Sequence, residues 1–216
     1  MRIKTLLCAA GIAALAIPAM AQTPPVYSLN VVGYVNLTFQ GGAYQMVANQ
    51  LDKDGTGTNN TIFTVFGTSL PQGSVVYKWN NGWVQYSYGK AGWSPNSTAS
   101  MNPGEGVLVK LGGTSLVTNT VVGTVLQGSL TNIYIPAGGG YCGLSSIVPI
   151  TGQIQADLKY VPKTSDVVYK WNGGWVQYSY GKAGWSPPQP TINAGEGFLL
   201  KTSPGQTWTN NFVVGQ

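Results

Sequence analysis

The chain of 216 residues contains no histidine, and its one arginine is Arg2. That absence removes Ser–His and Cys–His nucleophile pairs, and with them histidine-ligated metal sites. Charged residues make up only 8% of the sequence, and glutamate occurs twice, at Glu105 and Glu196. No glycine-rich loop joins a strand to a helix in the way a phosphate cradle requires. The lysines stand singly, without the clustered basic patch that nucleic acid needs, so no nucleic-acid partner is expected. Cysteine is limited to Cys8 and Cys142. No cofactor and no catalytic residue are expected.

The first residues have the pattern of an export signal. Arg2 and Lys4 precede an apolar run over residues 6–18, and Ala19-Met20-Ala21 is a small-residue cleavage site. Residues 1–21 are therefore expected to be a Sec-type signal peptide. The apolar run is shorter than a spanning helix, and no transmembrane segment is expected after cleavage. The expected location is the periplasm, the outer surface or the exterior. The mature chain then has nine lysines against four aspartates and two glutamates, a net charge of +3. Cys142 is left alone, which excludes an intramolecular disulfide. Its apolar neighbours predict a buried, unreactive thiol.

Internal repetition organises the remainder. Val-Val-Gly occurs at residues 31–33, 121–123 and 213–215. Between these copies the same plan runs twice, which predicts repeat units over 22–126 and 127–216. Each has β-type segments (35–42 and 44–48; 133–140 and 141–147) and a helical spacing, Ile62/Phe66 or Ile154/Leu158. Each also has an Asn-x-Gly-Glu-Gly entry to a strand. Glycine and proline punctuate the whole chain. The expected fold is all-β: two homologous β-sandwich or barrel-like units in tandem, with pseudo-twofold symmetry and one short helix per unit.

One stretch is repeated almost without change. Residues 75–95 and 167–187 differ only at Asn81 against Gly173. Asn81-Gly82 and Gly173-Gly174 predict a tight hairpin turn. A two-residue turn there places Val75, Tyr77, Trp79, Val84, Tyr86 and Tyr88 on one apolar face. Trp83 then shares the polar face with Lys78 and Gln85, and Trp175 with Lys170 and Gln177. A tryptophan beside hydrogen-bonding side chains suits a glycan or partner platform, unless another strand or the second unit covers it. Trp93 and Trp185 fall on loops, capping the core or lining a groove. Trp83, Lys78, Gln85, Trp93, Trp175, Lys170, Gln177 and Trp185 are thus the candidate ligand-binding residues. Packing alone gives no reason to repeat the lysines, so the block reflects either a surface in use or recent segmental copying.

Glu105 and Glu196 sit between glycines, where a carboxylate accepts backbone N–H groups, and this reading is preferred over a catalytic pair. The Asp52–Asn60 loop has oxygen ligands at calcium-loop spacing, but Phe63 stands where a bidentate glutamate is needed. It reads better as a polar loop capping the next helix through Asn59 or Asn60. No metal is expected.

The motif Asn-Val-Val-Gly-Tyr-Val-Asn at 30–36, the Val-Tyr-Lys-Trp strands at 76–79 and 168–171, and Gly-Glu-Gly-Phe at 195–198 carry a resemblance. The chain resembles a group of exported two-repeat bacterial proteins of uncharacterised function; the first unit departs from it with Val107 in place of phenylalanine. The resemblance implies export and a β fold, and no activity. The expected function is a non-enzymatic structural or adhesive protein of the cell surface or matrix. The alternative is a carbohydrate-binding module using the exposed tryptophans. Polysaccharide and other cell-surface components are the expected partners. The outer Val-Val-Gly copies are expected as terminal edges, pairing within one molecule in preference to self-association.

Overall fold

A computed structural model describes residues 31–96 and 98–215. The signal-peptide expectation lies outside these residues. The first unit comprises strands β1 (Val32–Phe39) and β2 (Tyr44–Ala48), helix α1 (Ile62–Phe66), then β3 (Val75–Trp79), β4 (Trp83–Gly89), β5 (Gly92–Ser94), β6 (Gly106–Lys110) and β7 (Val117–Thr124). The second comprises β8 (Gly128–Asn132), β9 (Gly140–Leu144), β10 (Gly152–Gln153), β11 (Val167–Trp171), β12 (Trp175–Gly181), β13 (Gly184–Ser186), β14 (Thr191–Ile192), β15 (Phe198–Thr202) and β16 (Trp208–Phe212). No described helix is long and apolar enough to cross a membrane.

The two units repeat one topology. Antiparallel sheets run in the orders β2-β6-β3-β4-β5 and β9-β15-β11-β12-β13. A two-stranded ribbon accompanies each, β1–β7 in the first unit and β8–β16 in the second. In β1 the alternation is clean: Val35, Leu37 and Phe39 are buried, while Tyr34, Asn36 and Thr38 are exposed. Each unit has its own apolar core. Phe39, Phe66, Val76 and Trp93 belong to the first; Leu144, Tyr160, Phe198 and Trp208 belong to the second.

Several local expectations are corrected. Thr61, not Asn59 or Asn60, caps α1: its hydroxyl accepts the Thr64 N–H, and Thr64 Oγ1 accepts the Thr61 N–H. At the equivalent Ile154 the second unit makes consecutive turns instead of a helix. Gly152 and Gln153 pair with β14, and the Asp157 carboxylate takes the Gln153 N–H at 2.7 Å, closing the backbone there. Ile154 and Leu158 are nonetheless fully buried, as their spacing requires. Residues 133–139 are turns and irregular chain, because Asn132 Oδ1 accepts the Tyr134 N–H and ends β8.

The Val-Val-Gly copies also pair differently from expectation. The first pairs with the second, Gly33 opposite Gly123. A Cβ at Gly123 would stand 2.5 Å from Asp52 O, so only glycine fits there. The third copy follows the end of β16 and lies outside the strands. Closure of the second unit falls to β16 on β8, Phe212 opposite Gly128.

The repeated hairpin is shifted by one residue from its expected register. Trp79 pairs with Trp83, Tyr77 with Gln85 and Val76 with Tyr86. The connection therefore has three residues, with Asn81 at φ +53 and the Asn80 N–H donating to Gly82 O. The second copy does the same, with Gly173 at φ +70. A two-residue turn would sort polar from apolar faces, and that sorting matters only where one face meets water. Here both faces are covered, one by the unit's own core and the other in part by the second unit. The one difference between the blocks now has a cause: asparagine and glycine are the residues that tolerate a left-handed φ. Valine at Gly173 should cost about 1–2 kcal/mol while asparagine there costs only a few tenths, as read by urea denaturation.

Candidate functional site: an aromatic seam between the units

The seam begins at the Gly-Glu-Gly turns. Gly104 and Gly195 have φ near +87 and +78, which opens each turn. Gly106 and Gly197 then lie at the contact between the sheets, where a Cβ on Gly197 would stand 2.6 Å from Val47 O and 3.2 Å from Gly106 Cα. Single bridges link Val47 to Glu196 and Glu105 to Leu144, so the backbone of each unit touches the other's turn. Gln50 locks the arrangement. Its side chain donates to Ser145 Oγ and Ser146 O and accepts the Gly195 N–H at 2.6 Å.

Both glutamates accept backbone donors, as their setting predicts. Asn102 N–H reaches Glu105 Oε2 at 3.1 Å, and Asn193 N–H reaches Glu196 Oε2 at 2.9 Å. Their other oxygens hold the repeated lysines: Lys78 Nζ lies 2.6 Å from Glu105 Oε1, and Lys170 Nζ 3.0 Å from Glu196 Oε1. The ammonium groups also donate to Ser100 O and Thr191 O. Each lysine thus ties its hairpin to the turn that opens β6 or β15. Burial pushes the Glu105 carboxyl above its ordinary value of 4.5, and the opposing pull of Lys78 is smaller.

That direction sets a pH dependence. A carboxyl raised on folding stabilises fully below its unfolded value, and the benefit is lost as pH rises through its folded value. Lys78→Met removes the one cation beside Glu105 among the described residues and moves that value further up. The variant should lose about 3 kcal/mol at pH 7, where a buried carboxylate stands unpaired, and distinctly less at pH 4. Urea midpoints at the two pH values measure this; equal deficits would count against it.

Across the axis the two hairpins bring their aromatics together. Trp79 meets Trp83 edge to face at 5.2 Å and 88°, and Trp171 meets Trp175 at 5.0 Å and 85°. Tyr44 packs on Trp171 of the other unit at 5.7 Å, and Tyr141 on Trp79 at 5.5 Å. Trp83 and Trp175 stack nearly parallel, with centroids 6.3 Å apart and planes at 19°. Every contact on one side has its counterpart on the other. This is an isologous interface of the kind symmetric dimers use, built within one chain.

The structure redistributes the candidate residues. Trp83 and Gln85 share one face, as do Trp175 and Gln177; Lys78 and Lys170 lie on the opposite face, in the ion pairs just described. Their place among the readers beside the tryptophans is corrected by the register shift. Gln85 and Gln177 are exposed and donate to Ser87 and Ser179. Trp93 is core, packed on Phe66 and Tyr88, with its N–H donating to Gly67 O. Trp185 is half-buried against Tyr180 and donates to Gln155. Tyr77 and Trp79, expected on one apolar face with Tyr86 and Tyr88, sit instead on the seam face, while Tyr86 and Tyr88 pack on the core. Tyr44, Lys110, Tyr141 and Lys201 were not singled out in the sequence, yet they lie on that same face beside Tyr77 and Tyr169. Tyr44 and Tyr141 each begin the second apolar segment of their unit, and that shared position was the available signal.

Other candidates resolve into structure. Asp52 accepts Asn60 Nδ2 and the Gly57 N–H, so the loop's oxygens are engaged with its own donors. Among the described residues no group of three or more His, Cys, Asp or Glu side chains comes together. Burial pushes the Cys142 thiol up to about 12. No protein-family model, curated protein or solved structure matches this chain.

Proposed function

We propose that the protein is an exported, non-enzymatic structural or adhesive β-repeat protein of the cell surface or extracellular matrix. One observation carries this reading: the side chains repeated in the two blocks build the molecule's own seam. Lys78 and Lys170 hold the Gly-Glu-Gly turns, and the tryptophans of each hairpin meet those of the other. A surface that holds two sheets together has reason to appear twice, once on each side of the axis. The test is fractionation of the native cells, with a deletion strain compared for attachment and matrix integrity. Protein in the surface or matrix fraction, with weakened attachment on deletion, supports the reading. Protein retained in the cytosol overturns it.

A second reading, carbohydrate binding, is favoured by a specific feature. Trp83 and Trp175 remain 37% and 40% exposed despite their stack, each with a glutamine on the same face. Flat aromatic surface beside amide donors suits the alternating apolar and hydroxyl-bearing faces of a sugar. A glycan array with the wild type and a Trp83→Ala/Trp175→Ala variant tests it. Absence of wild-type binding to every glycan sinks this second reading and leaves the first standing.

A further inference from the structure

Beside the seam, each sheet presents an exposed aromatic patch with one cation. In the second unit Tyr141, Tyr169, Trp175 and Leu199 line an open cavity of about 200 Å³. Tyr141 and Tyr169 lie 6.2 Å apart at 34°, and Lys201 Nζ stands 5.8 Å from the centre of the Tyr141 ring. The first unit repeats this with Tyr44 and Tyr77 at 6.1 Å and 38°, and Lys110 Nζ 5.5 Å from Tyr44. Trp83 and Leu108 complete its set on the same face. Lys110 and Lys201 are exposed, and neither has a carboxylate partner among the described residues. Aromatic side chains partly exposed at equivalent places in both units suit a binding face.

We infer that each patch binds a uronate residue of an anionic polysaccharide, giving two equivalent sites per chain. This rests on the carbohydrate reading above and specifies its ligand. The part of Trp83 or Trp175 left exposed outside their stack, with the tyrosines, covers the C–H face of a pyranose. The amide of Gln85 or Gln177, opposite Tyr77 or Tyr169 in the ladder, takes a ring hydroxyl. The ammonium of Lys110 or Lys201 takes the carboxylate; its approach to the tyrosine ring favours a position beside the patch and leaves its donors available. A single cation per patch fits one carboxylate per sugar. Single-stranded nucleic acid also stacks on aromatics, but it requires a cationic groove along the backbone, and one lysine does not make one.

Calorimetric titration of the mature chain tests this with three probes: alginate oligosaccharides, dextran oligosaccharides of the same length, and a single-stranded oligonucleotide. Alginate should bind at two sites per chain, with dextran and the oligonucleotide much weaker. Lys110→Gln/Lys201→Gln should weaken alginate binding about tenfold or more, the scale of one lost charge-assisted contact per site. Lys90→Gln/Lys182→Gln removes the same charge from exposed lysines of the repeated loops and should change it less than about twofold. Equal losses in the two variants would reduce the binding to general charge attraction and overturn the inference. Dextran bound as tightly as alginate would overturn the uronate assignment and keep the carbohydrate reading. Preference for the oligonucleotide, or no binding of any sugar, would overturn both.

Discussion

Alanine at Gly106 will destabilise the protein by about 3 kcal/mol or more, the upper range for overpacking a close contact. Its new Cβ would lie 2.6 Å from Leu144 O and 2.7 Å from Leu144 N. Both are backbone atoms, bridged to the preceding Glu105, and neither can turn aside as a side-chain end would. The sheets must separate to admit the methyl group. Gly143 faces the same constraint from the other side, with its Cβ position 2.2 Å from Gly106 O. Gly197→Ala should behave like Gly106→Ala, since the second turn meets Val47 in the same way. Gly89→Ala is the control: nothing lies within 4 Å of its Cβ position, and its change should stay within about 0.5 kcal/mol. Urea denaturation of the three variants checks this. A Gly106→Ala midpoint matching that of Gly89→Ala would show that the sheets do not approach as closely as described.

Asp166→Ala is expected to have an effect of similar size in the second unit, about 3 kcal/mol. Asp166 is fully buried, and four donors converge on its carboxylate. Oδ2 accepts the Tyr160 hydroxyl at 2.9 Å, the Lys163 N–H at 2.7 Å and Gln206 Nε2 at 2.5 Å. Oδ1 accepts the Ser203 N–H at 2.9 Å. Removing the carboxylate leaves the buried Tyr160 and Gln206 donors without this acceptor, each bearing a desolvation cost, and frees the part-buried Lys163 and Ser203 N–H groups as well. The equivalent position in the first unit is Ser74, whose Oγ accepts a single donor among the described residues, the Gly112 N–H at 2.9 Å, while donating to Pro71 O. Ser74→Ala should therefore cost distinctly less, about 1 kcal/mol. Thermal melts of the pair decide it. Asp166→Ala no worse than Ser74→Ala would refute the network's weight.

The β class, the duplication and the strands of the repeated block were legible in the sequence, because period-two patterning and glycine punctuation are local signals. So was the role of Glu105 and Glu196, since a carboxylate flanked by glycines has its backbone donors nearby. The hairpin register was not. Its polar and apolar faces were sorted against water, whereas the face holding Tyr77, Trp79 and Trp83 lies against a second sheet more than 60 residues away along the chain. For the same reason Lys78 reads as a surface residue in sequence and proves to be one half of an ion pair with Glu105. The second helix failed for a different cause. Ile154 and Leu158 have the right spacing for burial, but spacing does not distinguish a helix from a run of turns that buries the same two side chains. The patch residues Lys110 and Lys201 come from strands outside the repeated block, so no reading confined to that block includes them.

The near-identity of the two hairpins bears on how the chain reaches its native state. During folding, β3–β4 and β11–β12 are almost interchangeable, and each can meet β6 or β15 with the same Val-Tyr-Lys-Trp edge. An exchanged pairing would bury nearly the same area, so hydrophobic collapse alone discriminates poorly between the two arrangements. Discrimination falls to the unrepeated parts. Val76 meets Val109 in β6, whereas Val168 meets Leu200 in β15, so each hairpin is met by different side chains on its own sheet. Leu200→Val, which makes the two seats more alike, would then lower the yield of correctly paired molecules on refolding.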